Sequence, residues 1–127
     1  MNILQAIEKG KYILKKKRIK SYNLDSEILM SQVFQKKRID IVMNPNTNLS
    51  DTEIIHFNNL IEQRSKKKPI AYITGKKEFW KYEFDVTKDV LIPRPDTEII
   101  IEQAVKLTKN KSRLKILDIG VGSGCIL

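Results

Sequence analysis

The 127-residue sequence holds one cysteine, Cys125, one histidine, His56, and only five glycines. A single thiol excludes an internal disulfide and fits a reducing, cytosolic compartment. No apolar run approaches the roughly 20 residues that span a bilayer. The opening stretch, residues 1–10, is interrupted by polar side chains and Glu8, so it is not the apolar core of a signal peptide. These absences predict a soluble, cytoplasmic protein with no membrane partner. No cysteine–histidine spacing suggests a metal site, and no internal repeat is present.

Positive charge is abundant: 24 Lys and Arg against 15 Asp and Glu give a formal net charge of +9. Three clusters stand out, at Lys15–Lys20, at Lys36–Arg38 and at Lys66–Lys68. Such clusters can neutralise nucleic-acid phosphates. They can equally be the solvated surface of a chain rich in Lys, Ile and Asn. No aromatic-and-glycine platform for single strands accompanies them.

The apolar spacing predicts an α+β chain. Ile3, Leu4, Ile7, Ile13 and Leu14 mark a helix over 3–19, interrupted by Gly10. Leu24, Ile28, Leu29, Val33 and Phe34 mark a second over about 24–37, with Asp25 and Glu27 near its positive end. Residues 43–48 read as a turn-rich connector. Ser50 and Glu53 then form an S-x-x-E capping box ahead of Ile54, Ile55, Phe57, Leu60 and Ile61. Pro69 ends this third helix and opens a short fourth. His56 falls on a polar face and reads as a surface residue. The resulting bundle, residues 1–74, is near the lower size limit for independent folding.

From there the pattern turns to β-formers. Residues 78–86 read as one strand and 90–92 as a second, joined by a turn at 87–89, so 75–92 is expected to be a β-hairpin joint. Pro93 and Pro95 stiffen the following segment. Asp96 is placed to cap a helix carrying Ile99, Ile100, Ala104, Val105 and Leu107. Residues 114–119 read as an apolar strand that ends in Asp118-Ile119 and enters Gly120-Val121-Gly122-Ser123-Gly124.

Three of the five glycines lie in that last loop. Glycines let a backbone turn tightly and approach a ligand, and the helix after them offers unpaired amides. The G-x-G-x-G spacing differs from the dinucleotide G-x-G-x-x-G, and no lysine follows to make a phosphate-gripping loop. A glycine-rich turn without a ligand and a nicotinamide-dinucleotide loop both remain open on the residues alone.

The stretch from Leu117 to Gly124 resembles motif I of class I methyltransferases. Upstream, Pro69-Ile70-Ala71-Tyr72-Ile73-Thr74-Gly75, Glu78-Phe79-Trp80 and Val90-Leu91-Ile92-Pro93-Arg94-Pro95-Asp96-Thr97-Glu98 resemble, in order and spacing, the peptide-chain release factor glutamine N5-methyltransferases, the HemK or PrmC family. The resemblance is tight over 69–126 and looser before it. It implies a helical N-terminal domain that engages the release factor (1–74), a hairpin joint (75–92) and the first helix, strand and glycine loop of a Rossmann-like catalytic domain (93–127). It implies methyl transfer from S-adenosylmethionine to the glutamine amide of the GGQ motif in release factors. Gly120, Val121, Gly122, Ser123 and Gly124 would wrap the cofactor's amino-acid end, with Asp118 ordering it and Pro93 and Arg94 lying along its pocket. Cys125 matches a small residue after the loop and is no nucleophile.

Two alternatives stay open for the upstream residues. Arg94 either lines that pocket or braces the joint by pairing with Glu98 or another carboxylate. Phe79 and Trp80 either pack a core or hinge or touch substrate. The family's catalytic Asn-Pro-Pro-Tyr is absent; the one Asn-Pro, Asn44-Pro45, lies in the helical half. The chain is therefore expected to be a fragment of a longer enzyme, inactive alone, whose catalytic residues lie elsewhere. A stand-alone release-factor-binding module and a basic nucleic-acid-binding protein are the other two readings.

Overall fold

The structure is a computed structural model describing residues 1–127. It divides into two compact units, Met1–Thr74 and Gly75–Leu127. No helix is long and apolar enough to cross a membrane.

The first unit holds five helices: α1 (Ile3–Lys16), α2 (Tyr22–Phe34), α3 (Arg38–Met43), α4 (Asp51–Ser65) and α5 (Ile70–Thr74). Helix α3 has no counterpart in the sequence reading. At six residues it is too short for a periodic signal; it buries only Ile41 and leaves Ile39, Val42 and Met43 exposed. Asn2 and Ser50 each head a complete capping box. An isolated bridge between Asn2 and Asn48 sets the starts of α1 and α4 side by side. The two helices then run in the same direction, with Gly10 of α1 against Phe57 and Ile61 of α4. A Cβ at Gly10 would lie 2.9 Å from Ile61 Cδ1 and 3.0 Å from Phe57 Cζ. The glycine read as an interruption is thus the notch through which two helices close. The core includes Ile7 and Leu14 of α1, Leu29 and Met30 of α2 and Phe57 and Ile61 of α4. Leu4, Leu24 and Ile55, counted in the apolar stripes, are exposed.

Two hydrogen bonds from Ser50 and one back to it hold the α4 start: Ser50 N and Oγ each donate to Glu53 Oε2 at 2.7 Å, and Glu53 N donates to Ser50 Oγ. These bonds favour the ionised carboxylate and lower the Glu53 pKa below its ordinary 4.5, the backbone bond most. A depressed carboxyl pKa gives stability that is present above the unfolded value and lost as pH falls through the folded one. Thermal melts of the chain should therefore lose more on going from pH 6 to below pH 4.5 than melts of Glu53→Gln. Equal losses would remove Glu53 from the acid sensitivity.

In the second unit the hairpin differs from the expected one. Strands β1 (Lys76–Phe79) and β2 (Tyr82–Asp85) pair antiparallel, Phe79 opposite Tyr82, so the turn is Trp80-Lys81. Trp80 has φ 58° and Lys81 no positive φ, the sign pattern of a type II′ turn. Neither residue is a usual turn former, which hid the turn inside an apparent single strand. Alternation puts Phe79, Tyr82 and Phe84 on one face and Lys76, Glu78, Glu83 and Asp85 on the other. Phe79 and Phe84 meet edge to face at 6.2 Å, and Lys76 bonds Asp85 at 2.6 Å. Residues 87–90 do turn, but 90–92 form no strand.

A 3-10 turn (Pro95–Thr97) leads into α6 (Glu98–Thr108). Asp96 lies within that turn and makes no side-chain cap, because Pro95 already starts the coil one residue earlier. Residues 114–119 are not a strand. A parallel strand exists only through its neighbours' amides and carbonyls, and β1 and β2 pair only with each other.

Candidate functional site

The glycine loop has the backbone its composition suggested, for a narrower reason. Gly120, Gly122 and Gly124 take φ of 74°, 57° and 80°. This left-handed region costs other residues about 1–2 kcal/mol. A Cβ at Gly120 or Gly124 would meet nothing within 4 Å, so conformation and not crowding selects glycine here. Gly124 N donates to Val121 O at 2.9 Å, closing a tight turn around Gly122 and Ser123.

Asp118, two residues before the loop, is half-buried. Its Oδ2 is shielded from solvent and accepts no hydrogen bond. A shielded, unpaired carboxylate oxygen is costly, and it is the one such side-chain atom in the chain. An ammonium or hydroxyl donor is what would satisfy it.

Pro93 is buried and Arg94 exposed just ahead of the 3-10 turn, where Thr97 N donates to Arg94 O at 3.0 Å. No hydrogen bond or ion pair joins Arg94 to Asp118 or to the loop. The suggested Arg94–Glu98 pair is also absent. Glu98 Oε1 instead accepts from Trp80 N at 2.7 Å, tying the hairpin turn to the start of α6. Sequence reasoning missed this contact, because nothing in the spelling marks Trp80 as a turn residue whose amide lacks a partner. Phe79 is buried and meets Phe84 edge to face, whereas Trp80 is 39% exposed. A shallow hollow on the hairpin is lined by Glu78, Trp80, Lys81, Tyr82 and Glu83 and includes none of the loop residues. His56 is exposed and Cys125 is a half-buried free thiol.

In the helical unit the one buried charged residue is Asp25, 3% exposed. Its Oδ2 accepts from Arg64 Nε at 2.7 Å and from Ser21 Oγ at 2.8 Å. Arg64 Nη1 also donates to Lys68 O at 3.1 Å. This cluster is largely buried, and its geometry is that of a brace between α2 and the end of α4.

Residues 5–75 match the family described as the PrmC N-terminal domain. A release factor glutamine methyltransferase of Clostridium botulinum is 42% identical over 117 residues, covering 92% of this chain and 41% of that protein. Enzymes of the same name from Buchnera aphidicola subsp. Baizongia pistaciae and Leptospira interrogans are 45% identical over 111 residues and 40% over 126. They are covered over 40% and 44% of their lengths, and this chain over 87% and 98% of its own. The chain thus spans about two fifths of the curated relatives it matches.

Proposed function

Because the chain belongs to the family of the PrmC N-terminal domain, we propose that it serves as the substrate-engaging and cofactor-loop part of a release factor glutamine methyltransferase. The helical unit, 1–74, engages the release factor. The segment from Pro93 onward contributes to an S-adenosylmethionine site. The observation that carries the cofactor reading is Asp118 Oδ2, shielded and unpaired beside three left-handed glycines. An anionic acceptor next to bare backbone donors suits a ligand end that carries both an ammonium and a carboxylate.

In that reading Asp118 accepts from the cofactor's ammonium group. The amides from Gly120 to Ser123 face its carboxylate, while that of Gly124 closes the turn on Val121 O. Bound S-adenosylmethionine supplies a methyl group on a positively charged sulfur. Pro93 and Arg94, the latter held between Pro93 and Pro95, form a stiff wall of the pocket. The residues that would aim the glutamine nitrogen at the methyl are not among these 127, which lack Asn-Pro-Pro-Tyr.

The experiment is transfer of labelled methyl from S-adenosylmethionine to purified release factor by the protein that carries this chain. Label should enter the natural factor and not one whose GGQ glutamine is replaced. Gly122→Val, at φ 57°, should reduce transfer about five- to thirtyfold, the factor to which a loop strain of about 1–2 kcal/mol corresponds. Equal labelling of the replaced factor, or full activity of Gly122→Val, would overturn the reading.

A further inference from the structure

Two of the three lysine clusters are far apart in sequence and come together in space. Helices α1 and α4 run in the same direction, so their C-terminal ends lie at one end of the bundle. The Asp25 brace fixes the approach. Asp25 Oδ2 is bonded both by Ser21, next to Lys20, and by Arg64, whose guanidinium also holds the Lys68 carbonyl. Lys15 is further positioned with its Nζ 5.7 Å from the Tyr22 ring centre. Lys15–Arg18, Lys20 and Lys66–Lys68 thus form one exposed surface of eight cations. Among their side chains the only carboxylate partner is Glu62, on Lys66 at 2.7 Å. Lys36–Arg38 do not join this surface. They follow the far end of the 13-residue α2, about 20 Å along its axis from Ser21.

Helix capping explains part of this charge, since cations suit helix C-termini. It does not explain Arg18 and Lys67. Both occupy left-handed positions, φ 60° and 67°, immediately after the caps of α1 and α4. Glycine is the favoured residue there, and a side chain costs about 1 kcal/mol or more. The surface also lacks what a protein interface is built on. Within 15–20 and 64–68 the one large aliphatic residue, Ile19, is buried. Interfaces between proteins bury aromatic or apolar anchors and are depleted in lysine. Sequence-independent binding to a phosphate backbone rests mainly on the number of cations that neutralise phosphates, through counterion release.

We infer that this end of the helical unit is a docking surface for the phosphodiester backbone of a nucleic-acid duplex, read without regard to base sequence. Contact with five to eight phosphates gives a plot of log affinity against log salt with a slope of about −5 to −7.

Fluorescence anisotropy of the full 127-residue chain with labelled 20-base-pair RNA and DNA duplexes, between 50 and 300 mM salt, tests this. The wild type should show that slope, with the two duplexes revealing which helix geometry fits better. Combined Lys16→Gln, Lys17→Gln, Lys67→Gln and Lys68→Gln should weaken binding at 50 mM about a hundredfold and halve the slope. Arg18→Gly with Lys67→Gly, which the positive φ values accommodate, should weaken binding while leaving the melting temperature equal or higher. Lys36→Gln with Lys37→Gln should change binding less than threefold. A flat salt dependence, or equal losses in the Lys36/Lys37 variant, would overturn the inference. So would polyglutamate or phosphatidylserine vesicles competing as well as duplex at equal charge, the first indicating an acidic protein and the second a lipid surface.

Discussion

Asp25→Ala should remove about 3–5 kcal/mol from the helical unit. The carboxylate is 3% exposed and is the shared acceptor for Arg64 and Ser21. Deleting it leaves a guanidinium whose Nε has lost its partner in a site where the Arg64 side chain is only 16% exposed. Removing both charges is a different experiment. Asp25→Leu with Arg64→Met leaves no buried charge and should cost far less than Asp25→Ala alone, since well-packed apolar replacements of buried ion pairs are often neutral. Domains of this size have total stabilities of about 5–15 kcal/mol. The single substitution should therefore show as a large drop in urea midpoint and the double as a small one. A loss below about 1 kcal/mol for Asp25→Ala would mean that the pair behaves like a solvated surface bridge.

Phe57→Ala should cost about 3–5 kcal/mol, the range for emptying a buried aromatic site. Phe57 is 2% exposed, and its ring sits against Gly10. The same contact makes the two positions interdependent. Gly10→Leu in the natural background forces a side chain into a space where even a Cβ meets ring carbons at 3.0 and 3.3 Å. Overpacking of that kind costs about 1–3 kcal/mol. In the Phe57→Ala background the same leucine has a cavity to enter. The double variant should be more stable than the sum of the single losses, by a margin that chemical denaturation resolves. Strict additivity would show that the notch between α1 and α4 does not set their distance.

What the sequence disclosed depended on how local each signal was. Capping boxes lie within four residues and apolar periodicity within a few turns, so α1, α2 and α4 were legible, and the Ser50–Glu53 box was found bond for bond. Helix α3 was not, because six residues show no period. The hairpin turn was missed because Trp80 and Lys81 are poor turn formers, and cross-strand pairing of aromatic and charged residues holds them there. The Asp25–Arg64 bond joins residues 39 apart, with nothing in either neighbourhood to announce it. Gly10 was read as a weakness in a helix because its use lies on another helix. The glycine loop was legible as a composition, and its three positive φ values supply the reason. The strand leading into it was not found, since residues 114–119 have the spelling of a strand but no neighbour to pair with.

That unpaired segment has a bearing on handling these 127 residues by themselves. Leu117 and Ile119 are 84% and 87% exposed, and Ile116 69%. Their backbone is outside any ladder and open to whatever strand arrives first. Lys115 and Asp118 are the only charged interruptions between Leu114 and Ile119, and such gatekeepers slow self-association without abolishing it. Shelf life in the test tube is consequently a matter of concentration as much as of temperature. Dilute, low-temperature samples keep molecules apart, whereas crowded ones bring these short apolar stretches within reach of each other.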